Sequence, residues 1–231
     1  VNSMSDLFHE DIPDDFIDKV FAVMALTPQH TYQVLTKRPE RMREYMRPAI
    51  RQAVIGGGSV AVDSFWHEGP AAARIISEMA KRDLANKGPF PRLATWPLPN
   101  VWLGVTVENQ RWADERIPLL LDTPAAVRFI SAEPLLGPVD VQPFVAHQCD
   151  CPFPDVCDRQ SEYGPALDWV IIGGESGSKH RPFNPDWARS IVAQCREAGI
   201  APFVKQLGGA RPGTKLGDLP EDLRVREWPE R

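Results

Sequence analysis

Leu167-Asp168-Trp169-Val170-Ile171-Ile172-Gly173-Gly174-Glu175-Ser176-Gly177 is an apolar run of strand length that breaks into paired glycines, then a carboxylate and a hydroxyl. A run so short and so apolar, lacking alternation, predicts a strand covered on both faces, as in a parallel sheet. Gly173 and Gly174 permit either a positive φ or close approach of another backbone. A few residues on, Asn184-Pro185-Asp186-Trp187 has the chemistry of a helix start: a capping amide, then proline in the first turn. The unit is therefore strand, glycine-rich loop, helix. In α/β sheets and barrels such loops lie at the carboxyl ends of strands, where ligands bind. Glu175 leads the candidate site residues, against the alternative that the glycines only make a tight turn.

Working outward from this unit, the same alternation recurs. Phe16, Val20, Val23 and Met24 fit one face of a helix, and Thr31–Leu35 reads as a strand delivering Thr36, Lys37 and Arg38 into a loop. Pro39 starts another helix. Val101–Val107 is a strand ending in Glu108 and Asn109, with a helix over Gln110–Leu121. Val127–Ile130 ends in Ser131, Ala132 and Glu133, with Pro134 closing the strand. A helix from Pro185 to Ala198 carries Gly199 as its C-cap. Pro202–Val204 is a short strand with Lys205 and Gln206 at its end.

This alternation predicts an α/β fold of parallel β/α repeats, either doubly wound or forming a partial or complete TIM-like barrel. Residues 1–209 form one such domain, with an elaboration at about 52–100, a cysteine-containing loop at about 143–165 and a C-terminal tail over 210–231. Rich in glycine, proline and charge, the chain from Gly208 onward is expected on the surface. Gly56-Gly57-Gly58 lacks the lysine and hydroxyl of a P-loop and reads as a turn. Val1–Phe8 reads as the end of a strand running into a loop, so the first strand is expected to be missing.

At 231 residues, with 43% hydrophobic and 25% charged residues, the chain can bury a substantial core. A formal net charge of -5 with interspersed signs announces no global basic surface for nucleic acid. No apolar segment approaches bilayer length and no secretory signal is visible, so membrane partners are not expected and a cytoplasmic location is. Four cysteines make no disulfide framework at this length.

Polar residues at strand ends define the expected small-molecule site: Ser5, Asp6, Lys37, Thr106, Glu108, Asn109, Ser131, Glu133, Gly173, Gly174, Glu175, Ser176 and Lys205. The glutamates could serve as general bases or hold hydroxyl or amino groups, and the lysines could pair with carboxylate or phosphate. Ion pairs across the rim are the structural alternative. Gly174-Glu175-Ser176-Gly177 has the wrong glycine spacing for a nucleophile elbow, which argues against a serine hydrolase. His147, Cys149, Cys151 and Cys157 gather four soft or borderline ligands in one loop, suiting zinc or an iron–sulfur cluster, with free surface thiols as the alternative. Cys195 reads as a core residue.

Five ordered segments then join: Val1–His9, Val34–Pro39, Trp102–Asn109, Phe129–Leu135 and Trp169–Gly177, with Val204–Gly208 and Leu219–Arg226 fitting too. Together they resemble a phage- and prophage-associated family of uncharacterised radical S-adenosylmethionine (SAM)-like proteins. The resemblance implies a β/α barrel that binds SAM and a [4Fe-4S] cluster, held by an N-terminal three-cysteine motif that this sequence lacks. Cys149, Cys151 and Cys157 differ from that motif in spacing and position, so they are candidates only for an auxiliary metal. The implied function is radical chemistry on an unknown substrate, with this chain inactive alone. Two other readings stay open. One is a non-radical β/α enzyme on an anionic small molecule. The other is a non-catalytic phage accessory protein binding nucleic acid or a partner through Arg38, Arg41, Arg43, Arg47 and Arg51.

Overall fold

The computed structural model describes residues 5–47, 96–145, 167–211 and 215–230. Within these, the α/β repeat pattern is present: α1 (Asp14–Leu26), β1 (Tyr32–Thr36), α2 (Pro39–Met46), β2 (Val101–Thr106), α3 (Gln110–Leu121), β3 (Val127–Ala132), β4 (Trp169–Gly173), α4 (Pro185–Ala198) and β5 (Ala201–Gln206). The five strands form one all-parallel sheet in the order β1-β2-β3-β4-β5. Among the described residues the sheet is open, not closed into a barrel. Residues 52–95 of the elaboration, the cysteines of the loop at about 143–165 and Arg51 lie outside the described residues.

The chain divides into two compact units, with residues 1–103 and 122–126 in one and the rest in the other. In the first, α1 buries Ile17, Phe21 and Met24, one stripe at helical spacing, while Phe16 is 49% exposed. The expected stripe through Phe16 is thus displaced by one position. Met24 lies on the buried stripe as expected, while Phe16 is exposed and Val20 and Val23 are half-buried at its flank. Tyr45, buried on α2, meets the rings of Phe8 and Phe21 and donates its hydroxyl to the buried Asp18 at 2.8 Å. The amide of Asn100 donates to the carbonyls of Met24 and His30 at 2.9 and 3.1 Å, tying the end of α1 to the turn before β1.

All six residues of β2 are buried, and four of the five in β4, as expected of strands covered on both faces. The β3–β4 register places Phe129 beside Trp169, with ring centroids 5.7 Å apart. Gly104 makes room for that pair, since a Cβ there would lie 2.5 Å from the Phe129 ring. α4 behaves as its sequence predicts. Asn184 Oδ1 accepts the Asp186 N–H at 2.9 Å, and Gly199 ends the helix at φ 71°.

The surface expectation for the chain beyond Gly208 needs correction. Leu219, Leu223 and Val225 are buried, at 2%, 0% and 7% exposure. Val225 to Trp228 runs antiparallel along β5: the Val204 N–H donates to Val225 O at 2.8 Å and the Glu227 N–H to Pro202 O at 2.9 Å. This strap satisfies β5 backbone groups that would otherwise form an open edge. Trp228 stacks on Trp169 at 4.7 Å, and the Trp169 indole N–H donates to Glu227 O. Leu223, Arg224, Val225 and Arg226, which alternate apolar and charged, carried the signal, masked by the glycines and prolines before them.

Candidate functional site

In the first unit, Asp6 organises the loop after β1. Its carboxylate accepts the Thr36 hydroxyl at 2.7 Å, the Lys37 N–H at 2.9 Å, the Phe8 N–H at 3.0 Å and Arg38 Nη1 at 3.1 Å. Burial pushes its pKa up, and these hydrogen bonds outweigh burial, leaving it below the usual aspartate value. Such a carboxylate fixes a loop. Ser5 beside it is exposed, and so is the Lys37 side chain.

In the second unit, the ends of β2 to β5 carry the other candidates. Glu108, just past β2, is buried and paired with Arg116 of α3 at 3.1 Å, each side chain being 9% exposed. Arg116 Nη1 also donates to Thr106 O at 2.8 Å and to Thr106 Oγ1 at 2.9 Å, while its guanidinium lies 4.1 Å from the Trp112 ring centroid. Thr106 and Glu108 are thus held by an internal cation. Asn109 Oδ1 accepts the Trp112 N–H at 3.3 Å and so caps α3. Ser131 is buried in β3, and its carbonyl accepts the Val107 N–H at 2.8 Å.

Glu133, at the end of β3, occupies a different environment. Its carboxylate accepts Lys205 Nζ at 2.9 Å and Gln206 Nε2 at 2.9 Å, and Gln206 also donates to Gly174 O at 2.9 Å. Gln206 is buried, whereas the Lys205 side chain is 52% exposed. One donor is fixed and the other faces solvent. Gly173 gives Glu133 its place, because a Cβ there would stand 3.2 Å from the Glu133 side chain.

The paired glycines act through close approach, since neither has a positive φ. A Cβ on Gly174 would collide with the Leu207 carbonyl, and one on Gly208 would lie 2.8 Å from Glu175 O. The loops after β4 and β5 are joined through backbone: Gly209 N–H to Glu175 O at 3.0 Å and Gly177 N–H to Gly209 O at 2.9 Å. Ser176 pairs there through its backbone with Gly209, and its side chain is exposed.

Above this junction, Arg181 grips Glu175. Nε and Nη2 each donate to the carboxylate at 2.8 Å, and so does the Arg181 N–H. These bonds pull the Glu175 carboxyl down to about 2. The Arg181 guanidinium is raised in turn, chiefly by Glu175 and further by the charge of Glu108. Carboxylates after β2, β3 and β4 and the cations Arg181 and Lys205 thus share one rim of this unit. Neither Arg181 nor Gln206 belongs to the sequence-derived set. Arg181 had one signal, a Lys-His-Arg run directly after the glycine loop.

Arg38, Arg41, Arg43 and Arg47, the nucleic-acid candidates around α2, are each engaged within the first unit. Arg38 pairs with Asp6, Arg41 with Asp14 and the carbonyls of His9 and Ile12, and Arg43 and Arg47 with Asp122. His147, Cys149, Cys151 and Cys157 lie outside the described residues. Among the described residues no group of three or more His, Cys, Asp or Glu could hold a metal ion. Cys195 is buried in α4 and its thiol is pushed up to about 12 by burial, with Glu227 adding to the shift. No helix among the described residues is long and apolar enough to cross a membrane.

Residues 1–222 match the family model described as "Protein of unknown function (DUF5131)", and the chain belongs to that family. Comparison with curated proteins and with solved structures gives no match.

Proposed function

We propose that this protein is a β/α enzyme that holds the amino-acid end of S-adenosylmethionine at the carboxyl edge of β3, β4 and β5. The observation that supports this is the Glu133–Lys205 pair, braced by Gln206. A free amino acid carries an ammonium and a carboxylate on neighbouring atoms, and it is recognised by a carboxylate and a cation side by side. Glu133 would take the ammonium and Lys205 the carboxylate. A half-exposed ion pair of this kind contributes only about 0–1 kcal/mol, so exchanging it for ligand contacts costs little. Gln206, being buried and bonded to Gly174 O, keeps the Glu133 carboxylate in place during that exchange. When bound, SAM would supply an activated sulfonium, and the protein would position it and exclude water.

The resemblance extends the proposal to reductive cleavage of SAM at a [4Fe-4S] cluster, on a substrate that is unknown. The described residues do not fit that cluster. Cys195 is the only cysteine among them, and it is buried as the protonated thiol. No step is therefore derived through iron. A second reading, a non-radical enzyme acting on an anionic small molecule with Lys205 and the glutamates, draws on the same Glu133–Lys205 pair, which needs no iron to meet an anion.

Equilibrium dialysis of the full chain with radiolabelled SAM tests the proposal. Saturable binding is expected, with Glu133→Gln and Lys205→Met each weakening it by about tenfold or more, as for hydrogen bonds to charged groups. Absence of saturable binding in a chain that still melts cooperatively refutes it. Turnover without iron supports the second reading, and 5'-deoxyadenosine formed by this chain with dithionite and iron overturns the assignment of the cluster to a three-cysteine motif outside it.

A further inference from the structure

β5 departs from regular strand geometry where it reaches the candidate site. Its pairing with β4 sets Phe203 beside Ile171 and Val204 beside Ile172, then skips a residue and sets Gln206 beside Gly173. Lys205 is the extra residue. The backbone directions change with it. The Val204 N–H donates to Val225 O at 2.8 Å, so Val204 faces the strap, and in an unbroken strand the Lys205 carbonyl would then face β4. Instead Lys205 O points to the strap, where it accepts Arg226 Nη2 at 3.1 Å, and Gln206 O accepts the Gly174 N–H at 3.0 Å.

This irregularity lets two neighbouring residues serve one carboxylate. Successive side chains of a strand point to opposite faces, yet Lys205 Nζ meets Glu133 Oε2 and Gln206 Nε2 meets Glu133 Oε1, each at 2.9 Å. In unbroken register Lys205 would stand beside Gly173 and Gln206 beside Gly174, on opposite faces, and Glu133 would lose one donor. An extra residue bends a strand and re-aims its side chains, and it is rare between parallel strands. Something must hold it in place.

Arg226 is placed to do so. It lies opposite Phe203 in an antiparallel bridge, with its guanidinium 5.6 Å from the Phe203 ring centroid. Nε donates to Val204 O at 3.3 Å and Nη2 to Lys205 O at 3.1 Å. Two consecutive carbonyls face one neighbour only where the strand is bulged, and a planar guanidinium with its donors in a fixed fork suits such a pair. We infer that Arg226 is a positioning residue for the Glu133–Lys205 pair, holding the extra residue in β5 that turns Lys205 and Gln206 toward one carboxylate. Its consequence for ligand binding rests on the proposed function, whereas its hold on β5 requires no ligand.

Hydrogen exchange of the Gln206 side-chain amide, followed by nitrogen-15 NMR of the full chain, tests the inference. That amide is buried and bonded to Glu133 and Gly174 O, so slow exchange is expected in the wild type. Arg226→Ala should quicken it by about tenfold or more, as for lost hydrogen bonds to a charged group, with cooperative melting retained. Arg226→Lys keeps the charge but not the fork and should quicken it too, which also covers the case of an alanine variant that fails to fold. The control is Arg224→Ala, because Arg224 donates to Leu219 O and Gly217 O and to no carbonyl of β5. Wild-type exchange in both Arg226 variants overturns the inference, and so does equal quickening in Arg224→Ala, which would reflect docking of the tail in general. SAM binding by equilibrium dialysis should weaken in Arg226→Ala by about as much as in Lys205→Met, about tenfold; undiminished binding there overturns the positioning role. If the wild type binds no SAM, the proposed function fails while the exchange rates still decide the role of Arg226.

Discussion

Removing the Glu108 carboxylate separates a structural role for this strand-end residue from a ligand-binding one. Glu108 and Arg116 are both 9% exposed, so Glu108→Ala leaves a guanidinium in a place that water barely reaches. Stripping one partner from a buried pair costs about 3–5 kcal/mol. Arg116 keeps its bonds to Thr106 O and Oγ1 at 2.8 and 2.9 Å and its position over Trp112, which places the expectation near the lower end, at about 3 kcal/mol. With a urea dependence of about 2 kcal/mol per molar, the unfolding midpoint should fall by about 1.5 M. Glu108→Gln, which keeps an acceptor oxygen, should lose less. Replacing both partners, Glu108→Leu with Arg116→Met, should recover most of the loss, because no charge remains buried. Urea unfolding followed by tryptophan fluorescence reads all three variants. A loss below about 1 kcal/mol for Glu108→Ala, the range of an exposed pair, refutes the reasoning and returns Glu108 to the ligand-binding candidates.

Two further outcomes are expected. Gly174→Ala should destabilise the protein by about 1–3 kcal/mol, because its Cβ meets the Leu207 backbone, which cannot rotate away as a side chain could. Gly217→Ala, with nothing within 4 Å of the added Cβ, is the control and should leave the thermal midpoint near wild type. The Glu175 carboxyl should titrate at about 2 in the folded protein, against an ordinary value of 4.5. Its contribution is therefore fully present above the ordinary value and lost as pH falls through the folded one. Carbon-13 NMR of the side-chain carboxyl should show the midpoint return toward 4.5 in Arg181→Ala; a wild-type midpoint already there removes the Arg181 clamp from the site.

The architecture was readable because each element carried its own local signal. Asn184, Pro185 and Gly199 mark both ends of α4, and the apolar runs of β2 and β4 are continuous because both faces are covered. The strand ends were readable as positions but not as roles. Glu108, Glu133 and Glu175 look alike in sequence, yet their partners are Arg116 from a helix face, Lys205 from β5, two strands away across β4, and Arg181 from a loop. Those pairings depend on tertiary geometry, and the Glu133–Lys205 pair spans 72 residues. Gly173 and Gly174 announced themselves as conformational residues, while the backbones and side chains that need their missing Cβ come from elsewhere in the chain. Arg226 and Trp228 escaped notice because a strap of a few residues is too short for its alternation to stand out.

The antiparallel direction of that strap has a geometric consequence. Val225 pairs near Val204, late in β5, whereas Glu227 bonds Pro202 and Trp228 stacks on Trp169, the first residue of β4. Between residues 225 and 228 the chain travels from the carboxyl edge of the sheet back toward its amino edge. A label or fused domain joined beyond this point departs from the side opposite Glu133, Lys205 and Arg181. Cargo can thus be carried there without shading the rim, provided the linker spares the Trp169–Trp228 stack.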